Sequence, residues 1–344
     1  MVTSRLPGFY KLTLAERRRV AEQSLGLPPG ALDRALEAGG LDAETADKTI
    51  ENLLGTYAMP FALALNVQLN GRDHLVPMVV EEPSVVAAAS NAARMIRAGG
   101  GFRAESDPPI MIAQIQLDQV ADVPRAQQLL REHERELLEL ADHAVPNLVV
   151  RGGGARAIEP RDLGDGWLVV HVLVDCRDAM GANLVNTIAE SLAPRISEIA
   201  GGPIGLRILS NLTDRRTVRV TCRVPAEVLA TEGFTGEEVR DGIARASEFA
   251  SRDPYRAATH NKGIMNGIDP VVIATGNDWR AIGSCIDPSS APSAATCQVQ
   301  SGAYWPERAA HACAPASIAR QSLPVAITTG SMPFMIPLLW VAAR

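Results

Sequence analysis

Hydrophobic and polar positions alternate with helical spacing over the first part of the chain. Thr13 and Glu16 stand in the order of a capping box before an apolar pattern of helical period. Asp42 precedes a second such segment, which we predict to run to Leu54. The N-terminal part is therefore predicted to be helical.

The pattern then changes to that of a β-hairpin. Two strand-like segments, Pro60–Leu69 and His74–Val80, are separated by Asn70-Gly71, whose residues tolerate the positive φ of a tight turn. Glu81-Glu82-Pro83 follows directly. The small and apolar segment Ser84–Ala98 then predicts a helix that ends at three glycines.

A second pattern begins near Pro109. The predicted elements are strand Ile110–Leu117, helix Pro124–His143, strand Asn147–Val150, strand Trp167–Cys176, helix Ala182–Ala200 and strand Gly205–Leu209. This βαβ–βαβ order is typical of a ferredoxin-like split βαβ unit inserted into a larger domain.

After Ser210 the larger domain resumes, with a predicted strand Arg216–Val224, a helix Gly236–Ala250 and a short β-branched segment Val271–Ala274. The fold class is therefore predicted to be α+β, a large mainly helical domain with an inserted ferredoxin-like domain. We predict residues 1–108 and 211–282 for the large domain, 109–210 for the small one, and 283–344 for an atypical C-terminal segment.

Composition restricts the ligands and the compartment. The chain has 344 residues, 47% of them hydrophobic, and a net charge of −6, which favours neither nucleic acid nor an anionic membrane surface as a partner. The N-terminus is polar, with Arg5 and Lys11, so we expect no signal peptide. The most apolar stretch, Met332–Ala343, is short and contains two prolines, so we expect no membrane helix. The five cysteines have scattered spacings that indicate neither zinc nor disulfides, and the cytoplasm is the expected compartment.

Three charged residues lie in segments that suit chemistry. Lys262 lies in the polar, glycine-containing segment Asp253–Gly267, which we predict to be a loop at a site where a lysine could polarise a carbonyl. Glu82 stands where a strand meets a helix, and Asp278 follows a turn signal. Taken singly, a solvated lysine, a helix cap and a turn aspartate are the commoner interpretations.

Asp178-Ala-Met-Gly-Ala-Asn183 connects a strand to a helix, so its small residues could let the backbone approach a phosphate at the helix N-terminus. It is not the GxGxxG fingerprint. The cluster Gly152–Gly154 is interpreted as a loop. Residue chemistry alone thus indicates a nucleotide site and a Lys/Glu/Asp trio.

Several motifs occur in one order along the chain: Glu51–Gly55, Asn70–Asp73, Leu75–Ser84, Asp178–Asn183, Arg207–Asn211, Asp253–Pro270 and Ala274–Ala281. In this order the chain resembles the class II (bacterial, soluble) hydroxymethylglutaryl-CoA reductases over about residues 5–282. The resemblance implies a large substrate (CoA) domain interrupted by a small NAD(P)-binding domain.

The resemblance also implies roles. Glu82 would shuttle a proton, Lys262 would stabilise an oxyanion, and Asp278 would couple the two, with a coupled carboxylate able to stay protonated near neutral pH. The substrate-binding positions would be Ser84, Arg256 and Asn266. The cofactor-binding positions would be Asp178, Met180, Gly181, Asn183 and Asn211.

The implied reaction interconverts mevalonate plus CoA and 3-hydroxy-3-methylglutaryl-CoA by two hydride transfers with a nicotinamide cofactor and without a metal. The implied assembly is a homodimer or larger. NADH-using relatives carry an acid just ahead of the glycine cluster, whereas this chain has Val145 there and Asp142 nearby. We expect NAD as the cofactor, with NADP possible.

The resemblance ends near Ile282, after which the family would continue to a flap with a catalytic histidine. The segment 283–344 contains only five charged residues, and no role is assigned to its His311. We interpret this part as divergent, truncated or frame-shifted. Three hypotheses remain open: an active reductase, a truncated chain with impaired catalysis that keeps the dimer core and ligand binding, and a CoA- or nucleotide-binding module without turnover.

Overall fold

The computed structural model describes residues 3–179, 181–212 and 214–277. The predictions made for Met180, Asp278 and the segment 283–344 lie outside the described residues. The chain divides into two compact units. Of the described residues, those up to Glu105 and those from Arg219 to Asn277 belong to the larger unit, and those of Ser106–Val218 belong to the smaller unit.

The larger unit begins with short helices and a hairpin. Its first elements are α1 (Leu14–Leu25), α2 (Ala31–Ala35), α3 (Ala43–Asp47), β1 (Phe61–Leu69), β2 (Arg72–Val79), α4 (Val85–Ala98) and β3 (Phe102–Ser106). The capping box of Thr13 and Glu16 is present at the start of α1. The prediction that the helix after Asp42 reaches Leu54 is wrong: Ile50 and Leu54 are exposed, so no buried face stabilises a longer helix.

The predicted hairpin is confirmed. β1 and β2 pair in antiparallel fashion with Leu69 opposite Arg72, and both turn residues, Asn70 and Gly71, have positive φ. The helix α4 packs on β1, with Ala89 and Ile96 buried. Glu82 consequently lies in the short connection between β2 and α4.

The smaller unit contains β4 (Ile110–Leu117), α5 (Val123–Glu132), α6 (Glu134–Ala144), α7 (Pro146–Val150), β5 (Gly154–Gly164), β6 (Trp167–Asp175), α8 (Ala182–Ala200) and β7 (Ile204–Ser210). Its sheet has the order β5-β6-β4-β7 with antiparallel neighbours. Alternate β4 residues, among them Ile115 and Leu117, join the buried side chains of α8 in the core. This is the predicted ferredoxin-like topology.

One predicted strand of this unit is wrong. Residues Asn147–Val150 form the end of α7, and the strand itself lies beyond the glycines, from Gly154. Pro146 occupies the first helical position, which its fixed φ suits, and Leu148 is buried. The predicted helix Pro124–His143 is also divided, into α5 and α6.

The chain returns to the larger unit through β8 (Val218–Cys222), α9 (Ala226–Leu229), α10 (Gly236–Arg252) and α11 (Pro254–Ala274). The larger unit's sheet has the order β2-β1-β3-β8. Among the described residues, no helix is both long enough and apolar enough to cross a membrane.

The predicted loop around Lys262 is a helix, and the β-branched segment Val271–Ala274 forms the end of the same helix. Asp253 caps α11 by accepting a hydrogen bond from Arg256 N at 2.8 Å, and Pro254 stands in the first turn. Gly263 and Gly267 are buried, so these glycines serve close packing rather than chain reversal. Lys262 is therefore held on a rigid element.

Candidate active site

The connection after β2 and the middle of α11 bring three polar side chains together. α11 packs against β2, and Lys262 and Asn266, four residues apart, lie on one face of the helix. Lys262 Nζ forms an ion pair with Glu82 Oε2. Asn266 Nδ2 donates a hydrogen bond to the same oxygen at 3.0 Å. The arrangement fixes one carboxylate oxygen with two donors.

Both charges of the pair are accessible to a ligand, since the side chain of Lys262 is 59% exposed and that of Glu82 is 41% exposed. The hydrogen bond from Lys262 lowers the pKa of Glu82, and the hydrogen bond from Asn266 adds to this effect. Glu82 is thus a carboxylate at neutral pH. The expected coupling that would keep it protonated involves Asp278, which lies outside the described residues.

The other predicted substrate residues are placed differently. Ser84 precedes α4 with a φ of 71°, and its exposed side chain makes no capping hydrogen bond. Arg256 lies in the first turn of α11. Burial is the main cause of the lowered pKa of His260, and the positive charge of Arg256 lowers it further. Among the contacts of the described residues, Arg256 makes no ion pair with Glu82.

Asp269 is a carboxylate near this cluster that the sequence reasoning missed. It follows Asn266 by three residues on α11, so Lys262, Asn266 and Asp269 share one helix face. Its Oδ1 atom is buried without a hydrogen-bond partner among the described residues, and burial raises the pKa of Asp269 to about 6. In the sequence, Asn266 and Asp269 follow Lys262 by four and seven residues, and this helical spacing was the signal that could have identified Asp269.

The described residues predicted to bind the cofactor gather at one end of the smaller unit's sheet. Asp175, at the end of β6, lies opposite Ile110 of β4 and Gly154 of β5, and Ser210 of β7 lies opposite Ile112. The turn from Asp178 and the residue after Ser210 therefore emerge at the same end. This group contains Asp178, Gly181, Asn183 and Asn211.

The turn into α8 has properties that suit a phosphate group. Gly181 is the N-cap of α8 with a φ of 95°, and the first turn of the helix contains no acidic residue. A Cβ at this glycine would lie 2.7 Å from Cys176 Sγ, so only glycine fits. The helix N-terminus thus fits the phosphates of a dinucleotide.

Two arginines beside the glycine cluster were missed by the sequence reasoning. Arg156 and Arg177 both donate to the carbonyl of Gly152, and both form ion pairs with the buried Asp175. No motif in the sequence distinguishes these arginines from the many others. Their convergence follows from the pairing of β5 with β6.

The acidic residue considered as a ribose ligand is already engaged. Asp142 Oδ1 accepts a hydrogen bond from Ala155 N at 2.8 Å, which fixes the start of β5. Val145, at the position where NADH-using relatives have an acid, is buried. Within the ranges that the structure describes, no group of three or more His, Cys, Asp and Glu residues is arranged to hold a metal ion.

Comparisons with known proteins agree with this architecture. The family model described as hydroxymethylglutaryl-coenzyme A reductase matches residues 13–329, and so extends beyond Ile282, where the motifs end. The 3-hydroxy-3-methylglutaryl-coenzyme A reductase of Archaeoglobus fulgidus is 45% identical over 284 residues, which are 82% of this chain and 64% of that protein. A probable reductase of the same name from Borreliella burgdorferi is 31% identical over 262 residues, 75% of this chain and 57% of that protein. The chain thus spans less than two thirds of the length of these two relatives.

The chain is also similar to solved structures of 3-hydroxy-3-methylglutaryl-coenzyme A reductases. The reductase of Streptococcus pneumoniae has 43% sequence identity and a TM-score of 0.76, and the match covers 81% of this chain and 76% of that one. A structure of the class II enzyme from the same organism, bound to NADPH in open conformations, has 44% identity and the same TM-score and coverage. The chain therefore belongs to the hydroxymethylglutaryl-coenzyme A reductase family.

Proposed function

We propose that the protein is a class II hydroxymethylglutaryl-CoA reductase that interconverts mevalonate plus CoA and 3-hydroxy-3-methylglutaryl-CoA. The observation that carries the proposal is the convergence of Lys262 and Asn266 on Glu82. A cation, an amide and a carboxylate on rigid elements suit a reaction in which a carbonyl oxygen gains charge and then a proton.

Lys262 would supply the electrostatic part of catalysis. Its ammonium group is half-exposed at the end of a side chain anchored on α11, so it can reach the carbonyl oxygen of a bound thioester. A fixed positive charge beside that oxygen stabilises the negative charge that develops when hydride adds to the carbonyl carbon. When bound, the nicotinamide cofactor supplies the hydride.

Glu82 would take and return the proton. In the structure its charge is stabilised chiefly by the hydrogen bond from Lys262. When Lys262 turns to a substrate oxyanion, this stabilisation weakens and the pKa of Glu82 rises, so the carboxylate gains a proton that it can pass on. Ser84, two residues beyond Glu82, and Asn266 would then contact the hydroxymethylglutaryl end. Arg256 and Asp278 keep their predicted roles within this proposal.

The smaller unit would bind the dinucleotide through the turn Asp178–Asn183 and through Asn211. NAD remains the predicted cofactor. NADP is a supported second cofactor, because the position at which NADH-using relatives have an acid is the uncharged Val145, and the carboxylate of the nearby Asp142 is held at the start of β5 by Ala155 N. The Streptococcus pneumoniae relative bound to NADPH also supports this.

We further propose that the active site is completed by a second copy of the chain in a homodimer. This part follows from the family and is tested by measuring the molar mass of the protein in solution by light scattering. A mass of one chain at the concentrations used for assays would contradict it.

The activity is tested by following nicotinamide absorbance with mevalonate, CoA and each oxidised cofactor, and in the reverse direction with the thioester. Lys262→Gln is expected to lower kcat by at least about 100-fold, as loss of an oxyanion-stabilising group does. Lys48→Gln is the matched control, because Lys48, which follows the last residue of α3, also forms an exposed ion pair, with Glu44 at 2.8 Å. Ligand binding without turnover by the wild-type protein would disprove the enzymatic proposal.

A further inference from the structure

The smaller unit presents a pair of arginines that share one buried acid. Arg156 Nη2 lies 3.3 Å from Asp175 Oδ2, and Arg177 Nε lies 3.7 Å from Asp175 Oδ1. The side chain of Asp175 is 10% exposed, whereas those of the two arginines are 42% and 49% exposed. Two cations therefore face solvent over one buried carboxylate, and these three side chains together carry one net positive charge.

The backbone around this pair is held in an uncommon conformation. Arg177 has a φ of 53°, which is unfavourable for a residue with a side chain. Gly152, whose carbonyl accepts from both arginines, has a φ of 83°, and a Cβ there would lie 2.9 Å from Arg177 Nη2. Strain of this kind persists where the surrounding structure enforces it, and it is concentrated at functional sites.

The cluster lies beside the start of α8. Arg177 and Asp178 are consecutive, and Arg156 stands near the beginning of β5, at the same end of the sheet. Of the two other acids here, Asp142 is held by Ala155 N, and Asp178 is exposed in the turn. Guanidinium groups match the oxygens of a phosphate in geometry and charge, so a phosphate ligand would have donors from two directions.

We propose that Arg156 and Arg177 form a clamp for a phosphate group of the nicotinamide dinucleotide. The proposal rests on the proposed function, since it assigns a contact within the cofactor site. Either the pyrophosphate shared by NADH and NADPH or the 2′-phosphate of NADPH supplies the required chemistry. Gly152, which the sequence alone predicts to be a loop residue, then has a further role, because its carbonyl orients both arginines.

The test measures equilibrium binding of NADH and NADPH to the 344-residue chain by the fluorescence of the reduced nicotinamide. Arg156→Gln and Arg177→Gln are each expected to weaken binding about tenfold, the usual effect of losing a charge-assisted hydrogen bond. Equal weakening for both dinucleotides assigns the clamp to the pyrophosphate. Weakening for NADPH alone assigns it to the 2′-phosphate.

Arg195→Gln is the matched control, because Arg195 belongs to the same unit and is paired with Glu136 and Glu198 on the surface. Arg156→Lys and Arg177→Lys retain a positive charge beside the buried Asp175, so they keep the ion pair that the glutamine variants lose. Thermal unfolding shows whether each variant is folded. These lysine variants are expected to bind several-fold more weakly than wild type, because the guanidinium fork is lost.

Binding of both dinucleotides by the two glutamine variants at the affinity of Arg195→Gln would overturn the clamp. Wild-type affinity in the two lysine variants would overturn it equally. Failure of the proposed function is distinguishable, since it would appear as absent turnover in a wild-type protein that still binds the dinucleotides. A wild-type protein that binds neither dinucleotide would overturn both proposals.

Discussion

Glu82 owes its lowered pKa to two donors of unequal strength. The hydrogen bond from Lys262 is the largest cause, and that from Asn266 is the smallest. We therefore predict that Lys262→Gln raises the pKa of Glu82 more than Asn266→Ala does. Carbon-13 NMR titration of the glutamate carboxyls measures both values, with Glu82→Gln to assign the signal. Equal pKa values of Glu82 in the two variants would contradict this ranking of the two donors.

Asp269 has the opposite tendency, because burial raises its pKa to about 6 from an ordinary value of 3.8. A raised pKa means that the folded state holds a proton that the unfolded state releases between these two values. The resulting penalty is absent below the ordinary pKa of 3.8, grows as the pH rises from there to about 6, and is constant at higher pH. Asp269→Asn removes the penalty, and we predict a gain of about 1 kcal/mol at pH values above 7, allowing for solvent screening at a half-buried site.

Melting temperatures at several pH values test this prediction. The difference between Asp269→Asn and wild type should be near zero at acidic pH and about 2 °C at mildly alkaline pH. Asp241→Asn is the control, because the pKa of Asp241 is lowered by Arg240 and its loss brings no such gain. A pH-independent difference for Asp269→Asn would indicate a change in packing instead of a titration.

At the scale of elements, α11 shows where sequence reasoning succeeded and where it failed. The sequence locates the motif containing Lys262, but the polar and glycine-containing composition of that motif predicts a loop. The capping residue Asp253 and the following Pro254 were valid helix-start signals that composition outweighed. Burial of Gly263 and Gly267 against neighbouring elements then stabilises the helix, and this tertiary effect cannot be seen in local sequence.

The same limit explains the strand misplaced at Asn147–Val150. Its β-branched residues resemble a strand, yet Leu148 packs into the core from a helix. The hairpin at Asn70-Gly71 was predictable, because its turn depends on local backbone preferences alone. The convergence of Arg156 and Arg177 on Asp175 depends on strand pairing between distant segments, so it required the structure.

Two glycines of the larger unit provide a matched test of packing. Gly99 ends α4, and a Cβ there would overlap the carbonyl of Arg223, whereas Gly242, inside α10, has nothing within 4 Å. We predict that Gly99→Ala destabilises the protein by roughly 2 kcal/mol, and that Gly242→Ala stabilises it by up to about 1 kcal/mol through helix propensity. Chemical denaturation measures both free energies of unfolding. Similar effects of the two variants would contradict the described packing.

At the scale of the whole molecule, the smaller unit should fold by itself. Its two ends are joined by a hydrogen bond of 2.9 Å from Asp107 N to Thr217 O, and the Thr217 hydroxyl bonds to Asp107. Its core is contiguous, from β4 to α8. We predict that residues 106–218 expressed alone show a cooperative thermal transition and native circular dichroism. A noncooperative transition would mean that the unit depends on the rest of the chain.

The bond between Asp107 and Thr217 has a consequence for how such a chain could have arisen. β3 ends at Ser106 and β8 begins at Val218, and these strands are neighbours in one sheet. Because the two ends of the smaller unit are bonded to each other, the unit connects β3 and β8 as a short loop would. Its length therefore adds little to the entropic cost of bringing these two strands together. A single genetic event could therefore exchange or remove the codons between these strands, and a tight turn would suffice to rejoin them.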